Sequence, residues 1–381
     1  MKKRLLGSIM VLTLAGSLFV GCSKNELKES DVIKIGGIAP LTGKVATYGQ
    51  SVKDAVLLAE EEINNKGGIN GKKVKVVYED DQAEQNAAIN AFNKLVDDEK
   101  VVAILGPVTS GATLAVAPKA TQNKIPLLTP TATEPNITKI GGDFVFRGCY
   151  VDSFQGSTMA KFAAKDLEKK TAAILYNIGS DYSKGIAESF KKDFEAQGGK
   201  VLELLSYNNG DKDFNAQLTK VKTANPDVLF LPDYFDVAAL AAKQARELGV
   251  KSQFLGVDGW DAEDLYNIAG DAIKGGLFIN HYFQGDPAKE VQDFVTAYKG
   301  KYNKEPDALA ALGYDAAKTL FKAIEDAKSA DGDKIREALT KIQITGVTGK
   351  QSFGEDRTAV KGAVILKVEG EKRSLVKKIN P

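Results

Sequence analysis

Short apolar runs alternate with longer amphipathic segments along this chain, and the alternation starts again near its middle. In the first series, residues 33–39 and 101–105 are predicted strands, and residues 50–65 carry apolar side chains at helical spacing. The second series resumes with a predicted helix over residues 154–167 and a strand over residues 172–176. Such alternation predicts parallel sheets that helices cover on both faces. Two series of similar spacing predict the α/β class with two similar lobes rather than one large sheet.

The end of the chain supplies helices that the first series lacks. Helices are predicted near residues 289–302, 308–327 and 333–340, and short strands follow in residues 349–381, including 363–367. Residues 31–150 alone would leave their sheet unevenly covered, and the late helices can complete it. The pattern therefore permits a chain that crosses between the two lobes more than once.

The first 22 residues have the layout of an export signal. Residues 1–4 are basic, residues 5–20 are uncharged and mostly apolar, and Gly21 and Cys22 follow. The apolar stretch is shorter than the roughly 20 residues that a transmembrane helix needs, which disfavours a plain membrane anchor. Phe19 to Cys22 resembles the lipobox of bacterial lipoproteins, although Phe19 stands where that motif usually has leucine.

The lipobox resemblance implies that a signal peptide of residues 1–21 is removed and that Cys22 then carries lipid. Residues 22–30 are polar and charged, and they would form a tether. The protein would then work outside the cytoplasm, anchored to the outer face of the cell membrane, or in the periplasm of a Gram-negative cell.

Charge and residue counts exclude several classes of function. The 51 basic residues nearly balance the 50 acidic ones and are not clustered, so the chain has no large positive field for nucleic acid. Its two cysteines are Cys22 and Cys149, and its single histidine is His281. With Cys22 lipidated, no disulfide can form within the chain, and a zinc site or a Cys/His catalytic pair has little support. We therefore expect no metal, no cofactor and no nucleic-acid partner.

Several short motifs, each weak alone, follow one another along the chain. They are residues 35–43, 48–49, 63–71, 106–111, 130–133, 181–182, 227–234 and 254–258. In this order they resemble the branched-chain amino-acid binding proteins of ABC importers, over nearly the whole chain after the leader. The resemblance implies the type I periplasmic-binding-protein fold, in which two similar lobes, each a parallel-sheet α/β sandwich, are joined by three crossovers.

The resemblance also divides the chain between the lobes. It implies crossovers near residues 147–153, 279–283 and 345–353, a lobe 1 of residues 31–150 and 281–350, and a lobe 2 of residues 151–280 and 351–381. Ligands of open α/β sheets bind outside the carboxyl ends of the strands. The site residues implied below all follow predicted strands or lie near a predicted crossover.

Two loops offer groups that suit the carboxylate of an amino acid. Residues 106–111 precede a predicted helix and present Ser110, and the loop after the next strand presents Thr131, Ala132 and Thr133. Hydroxyls and free N–H groups at a helix start both favour an anion. The resemblance implies carboxylate contacts from Ser110 and Thr133 and backbone contacts from the residues at 131 and 132. Serine and threonine at such places also serve as caps and turn residues.

The ammonium group of an amino acid needs an acidic partner, because a buried unpaired ion costs several kcal/mol. Asp258 follows a predicted strand, and the matching family position is acidic, often glutamate. Aspartate is one methylene shorter, so the geometry of the contact would differ. An exposed turn aspartate before Gly259 is the ordinary alternative.

Aromatic side chains at family cleft positions would cover an aliphatic ligand side chain. They are Tyr48, Tyr182 and Tyr234, with Trp260 as a weaker candidate that follows Asp258 and could cover the cleft. Tyr150 and Asp152 lie at the first predicted crossover, and Asp152 matches a position near the ligand in some relatives. Ordinary core or rim packing is the alternative for each aromatic residue.

The resemblance implies a monomer that captures leucine, isoleucine or valine by hinge closure and delivers it to an ABC importer permease. The same scaffold could bind another neutral amino acid, an amide or an aromatic acid. An extracytoplasmic hydrolase has weaker support, because the segment around Ser183 lacks the first glycine of a nucleophile elbow and His281 is the one histidine base. A self-contained receptor is disfavoured, because no signalling segment follows the lobes.

Overall fold

The computed structural model describes residues 32–380. The predicted signal peptide, the tether and the lipidation site at Cys22 lie outside these described residues. Within them the chain forms two main sheets, each made largely of parallel strands and covered by helices. The fold is therefore α/β with two similar lobes, as the alternating sequence pattern predicts.

The first series forms a five-stranded, entirely parallel sheet with the order β2-β1-β3-β4-β5. Its strands are β1 (Val32–Ala39), β2 (Lys73–Asp80), β3 (Ile104–Leu105), β4 (Leu127–Thr129) and β5 (Val145–Arg147). Its helices are α1 (Ala46–Asn65), α2 (Gln85–Asp97), α3 (Ser110–Gln122) and α4 (Ile137–Gly141). The central strands are apolar on both faces because helices cover both sides. Of the strand predicted at residues 101–105, β3 retains Ile104–Leu105.

The second series contributes five parallel strands to a seven-stranded sheet with the order β14-β13-β10-β9-β8-β6-β7. These strands are β6 (Thr171–Asn177), β7 (Lys200–Tyr207), β8 (Val228–Phe230), β9 (Gln253–Gly256) and β10 (Leu277–Asn280). The helices are α5 (Asp152–Lys161), α6 (Asp181–Ala196), α7 (Asn215–Ala224), α8 (Phe235–Glu247) and α9 (Asp264–Ala269). A one-turn helix, Asp258–Trp260, follows β9.

The end of the chain adds helices beside the five-stranded sheet and strands to the seven-stranded sheet. Its helices are α10 (Lys289–Tyr302), α11 (Ala308–Ala327) and α12 (Gly332–Thr340), and its strands are β11 (Ile344–Gly346), β12 (Gly349–Gln351), β13 (Ala363–Glu369) and β14 (Lys372–Ile379). Helix α11 packs on α1 so closely that a Cβ on Gly313 would lie 3.1 Å from the Val52 backbone. Strands β13 and β14 instead join the seven-stranded sheet in antiparallel fashion.

We call lobe 1 the five-stranded sheet with α1–α4, α10–α12 and the β11–β12 hairpin, and lobe 2 the seven-stranded sheet with α5–α9. The chain crosses between them after β5, after β10 and after β12. The first and third crossovers run side by side: Arg147 donates its N–H to the Arg357 carbonyl at 3.0 Å, and Ala359 donates to the Arg147 carbonyl at 2.9 Å. The residue bounds that the sequence implies for each lobe stay a prediction.

Three further findings concern the described part of the chain. No helix within residues 32–380 has both the length and the apolar character that crossing a bilayer requires. The same residues contain no cluster of three or more His, Cys, Asp or Glu side chains arranged to hold a metal. Cys149 is fully buried, and burial raises the pKa of its thiol, so it has the environment of a packed core residue.

Candidate functional site

The carboxyl ends of strands from both lobes meet around a cavity of about 30 Å³. Lobe 1 lines it with Tyr48, Val108, Thr109, Ser110, Thr131, Thr133, Leu309 and Leu312. Lobe 2 lines it with Tyr182, Tyr234, Asp258 and Gly259, and His281 lies at the second crossover. The lobes are therefore closed on each other.

The lobe 1 wall is built from the loops after β3 and β4. The Thr131 hydroxyl donates to the Val108 carbonyl at 2.6 Å, and the Glu134 N–H donates to the Ser110 hydroxyl at 3.3 Å, so each loop holds the other. Ser110 begins α3, and the preceding Thr109 makes no side-chain capping bond. The positive end of this helix thus faces the cavity through Ser110.

The lobe 2 wall is organised around Asp258. Its Oδ1 accepts a hydrogen bond from the Tyr182 hydroxyl at 2.6 Å, and its Oδ2 lies 3.0 Å from His281 Nε2. The Asp258 N–H donates to Gln155 Oε1 at 3.1 Å, which fixes the one-turn helix that carries the residue. The carboxylate therefore lies at the cavity with each oxygen in contact with a donor.

Three tyrosines pack together across the closed cleft. Tyr182 stacks on Tyr234 with ring centroids 4.9 Å apart, and the Tyr48 ring meets Tyr234 edge-on at 5.5 Å. The Tyr48 hydroxyl donates to the Gly259 carbonyl and accepts from the Phe235 N–H at 3.3 Å. Burial raises the pKa of all three phenols, so they stay protonated donors. Tyr48 of lobe 1 thus both lines the cavity and bonds to lobe 2.

Other bonds hold the lobes together at the edge of the cleft. The Thr47 hydroxyl of lobe 1 donates to Asp264 of lobe 2 at 2.7 Å. The Ala308 N–H, at the start of α11, donates to Asp261 of lobe 2 at 2.8 Å. These contacts exist because the lobes are closed, and they would break on opening.

The structure brings seven of the predicted residues to the cavity and leaves four outside its lining. The seven are Tyr48, Ser110, Thr131, Thr133, Tyr182, Tyr234 and Asp258. Ala132 is buried behind them, and its N–H donates to the Thr129 hydroxyl at 3.1 Å, so this donor is already engaged within the loop. Which of these residues contact a ligand stays a prediction.

The three weaker candidates are buried and lie outside the lining of the cavity. Trp260 is fully buried in the core of lobe 2, where its Nε1 donates to the Leu231 carbonyl at 3.1 Å, so it does not cover the cleft. Tyr150 stacks on the ring of His281 rather than lining the cavity. Asp152 begins α5, and burial raises the pKa of its carboxyl well above the usual value.

Sequence reasoning missed several cavity residues as binding candidates. His281 directly follows β10, so the rule that ligands bind at strand carboxyl ends could have found it. Leu309 and Leu312 come from the start of α11, and no local motif marks them. The hydrolase alternative needs Ser183 and His281 to contact each other. Instead, His281 contacts Asp258, and the Ser183 hydroxyl accepts a hydrogen bond from the Asn177 N–H at 3.0 Å.

Known proteins resemble this chain over most of its length. The family described as "Periplasmic binding protein" matches residues 32–373. A leucine-, isoleucine-, valine-, threonine- and alanine-binding protein of Pseudomonas aeruginosa is 35% identical over 328 residues, which are 86% of this chain and 87% of that protein.

Two solved structures have folds similar to that of this chain. The leucine binding protein LivK of Thermotoga maritima is 39% identical with a TM-score of 0.87, covering 92% of this chain and 99% of that one. The branched-chain amino acid transporter substrate binding protein LivJ of Streptococcus pneumoniae, solved in complex with isoleucine, is 34% identical with a TM-score of 0.87, covering 92% of this chain and 100% of that one.

Proposed function

The chain belongs to the periplasmic binding protein family, and from that premise we propose that it captures an aliphatic amino acid between its lobes for an ABC importer. The observation that carries the proposal is the placement of Asp258 across the cavity from Ser110 and the start of α3. An acidic group on one wall and neutral donors on the other match the two charges of a zwitterion.

Each charge of the amino acid would meet a suitable partner. The ammonium group pairs with the Asp258 carboxylate, which is buried and therefore strengthens a charged contact. The carboxylate lies against the Ser110 and Thr133 hydroxyls and the N–H groups at the start of α3. An aromatic acid or an amide would leave Asp258 without its cation, so the α-amino acid fits better.

The ligand side chain would lie on the apolar part of the lobe 1 wall. Val108, Leu309 and Leu312 are buried aliphatic residues there, and the ring of Tyr48 completes the surface. Charged side chains are absent from this part of the wall as the structure describes it, so a neutral aliphatic amino acid is favoured. Leucine, isoleucine and valine are the proposed ligands, in keeping with the names of the relatives.

Binding would proceed by hinge closure. Because hydrogen bonds between the lobes, such as the one from the Thr47 hydroxyl to Asp264, close the cleft around the cavity, an amino acid would enter after the lobes move apart. It would dock on the lobe 1 wall first, and lobe 2 would then bring Tyr182, Tyr234 and Asp258. Contacts made only in the closed form shift the population toward it. An ABC permease would recognise the closed form.

The proposed function also implies a place and a tether. A protein that supplies an importer works outside the cytoplasm, and lipid on Cys22 would keep it near its permease as a monomer. Fractionation tests this part: wild-type protein should sediment with membranes, and Cys22→Ser should be released. Wild-type protein found free of membranes would contradict the tether without touching the ligand proposal.

Thermal-shift screening against the twenty amino acids tests the ligand proposal. Leucine, isoleucine or valine should raise the unfolding temperature in proportion to the logarithm of ligand concentration over Kd. Aspartate and lysine serve as controls, because the apolar wall offers no partner for their side chains. If no amino acid shifts the unfolding temperature, the proposal fails.

A further inference from the structure

His281 lies where β10 passes into the second crossover, and its imidazole is 1% exposed beside the cavity. We propose that His281 is a positioning residue that orients the Asp258 carboxylate toward the ligand ammonium. It thereby sets the preference of the site for α-amino acids over the same acids without an amine. This inference rests on the proposed function, because it concerns the same cavity.

The two partners of Asp258 hold opposite ends of its carboxylate. The Tyr182 hydroxyl donates to Oδ1 at 2.6 Å, while His281 Nε2 lies 3.0 Å from Oδ2. Burial lowers the pKa of His281, so the ring is neutral near pH 7 and carries one N–H. That proton belongs on Nε2, which faces the acceptor, whereas Nδ1 is buried without a hydrogen-bond partner.

The first crossover packs on the imidazole, and hydrogen bonds fix the backbone at His281. The Tyr150 ring of the first crossover stacks on it, with centroids 3.7 Å apart and planes 17° apart. The backbone N–H of His281 donates to Asn280 Oδ1 at 2.9 Å, and Asn280 Nδ2 donates to Asp261 Oδ2 at 2.8 Å. A ring fixed in this way presents its N–H in one direction.

The orientation of the Asp258 carboxylate matters because the short side chain leaves it few positions from which to reach the ligand. An aspartate rotates about two side-chain bonds, and a donor on each oxygen selects one rotamer before the ligand arrives. Such preorganisation removes an ordering cost from binding. A hydrogen bond to a charged group contributes about tenfold or more in affinity, and the loss should fall on the ammonium contact alone.

The test compares two His281 variants with two ligands by calorimetry. His281→Leu removes the N–H donor at similar volume, and His281→Gln supplies an amide donor of similar reach. The ligands are L-leucine and 4-methylpentanoate, which is leucine without its amine, with the weaker ligand measured by displacement. His281→Leu should bind L-leucine about tenfold or more weakly and 4-methylpentanoate within about twofold of wild type. His281→Gln should recover most of the L-leucine loss.

Several outcomes would overturn the inference. Equal weakening of both ligands would show a general structural role, and unchanged L-leucine affinity in His281→Leu would show no role at all. If His281→Leu does not fold, His281→Asn takes its place, because its amide is too short to reach Asp258. The loss of affinity for L-leucine is then again compared with the loss for 4-methylpentanoate. A wild-type protein that binds no amino acid would instead overturn the proposed function, so the two failures are distinguishable.

Discussion

The two walls of the cavity differ in chemistry and in how they are held. The lobe 1 wall consists of hydroxyls and aliphatic side chains, and its loops bond to each other through Thr131 and Ser110. The lobe 2 wall carries the ionisable Asp258 with its tyrosines, and His281 of the second crossover supports it. Lobe 1 can therefore offer a complete surface for the ligand carboxylate when the lobes are apart, while recognition of the ammonium group waits for closure.

Asp258→Ala should produce the largest change, because it removes the single acidic side chain among the described residues that line the cavity. An unpaired buried ammonium costs about 3–5 kcal/mol, so leucine affinity measured by calorimetry should fall by more than about 100-fold. Asp227→Ala is the control, because Asp227 bonds to the Lys170 and Thr171 N–H groups outside the cavity. Near-equal leucine affinity in Asp258→Ala and wild type would contradict the pairing of Asp258 with the ligand ammonium.

Ser110→Ala and Thr133→Val test the lobe 1 wall. Each removes one hydroxyl from the proposed carboxylate site, and each should weaken leucine binding by about tenfold, less than the loss of a charge. The same variants should weaken 4-methylpentanoate by a similar factor, since that ligand keeps its carboxylate. Thr121→Val is the control, because its hydroxyl bonds to Phe144 and Gly141 elsewhere in lobe 1. A loss confined to leucine would assign these hydroxyls to the amine instead.

Tyr48→Phe tests the bond between the walls. The variant keeps the ring and removes the hydroxyl that contacts the Gly259 carbonyl and the Phe235 N–H of lobe 2. Closure should become less favourable, and leucine Kd should rise by about three- to tenfold, mainly through faster dissociation. Tyr78→Phe is a matched control, because the Tyr78 hydroxyl has no hydrogen-bond partner. Equal effects of the two variants would contradict a closing role for Tyr48.

The smallest expected effect concerns acidic residues of the two lobes that approach each other. Burial and the charge of Asp261 raise the pKa of Asp307 to about 7. The folded state therefore holds this proton more tightly than the unfolded state, and stability is lost as pH rises from about 4 through 7. Asp307→Asn removes that loss while keeping the oxygen that accepts the Ala310 N–H at 2.7 Å.

Unfolding temperatures measure this effect. At pH 8.5 the Asp307→Asn variant should be more stable than wild type by about 1–2 kcal/mol, or roughly 2–4 °C, after allowance for partial exposure. At pH 4.5 the two proteins should unfold at nearly the same temperature, because Asp307 of the folded wild-type protein is then protonated and uncharged. A difference that does not depend on pH would show that the charge is not its cause.

The sequence predicts the parts of the fold and site that depend on local pattern. The two lobes follow from alternating periodicity, and Ser110, Thr133 and Asp258 each lie shortly after a strand, where ligand sites of such sheets occur. Leu309 and Leu312 escape this reasoning because α11 is placed by packing on α1, which is far from it in the sequence.

Trp260 shows that the sequence pattern can also fail to predict the position of a side chain close to a candidate site residue. In a helix of three residues per turn, a side chain two positions after Asp258 points to another side, and here that side is the core of lobe 2. Proximity to Asp258 in the sequence therefore did not reveal the direction of the Trp260 side chain. Turn geometry, which the sequence pattern does not reveal, makes the difference.

The burial of Trp260 has a practical consequence for optical spectroscopy. It is the single tryptophan of the chain and belongs to the one-turn helix that carries Asp258. Its indole packs against Gly256 at the end of β9. Aqueous quenchers such as iodide should therefore affect its emission little. Any change in that emission when an amino acid is added would come from a chromophore two positions from Asp258. The fold has placed an intrinsic fluorescent reporter in lobe 2, without a second indole to obscure it.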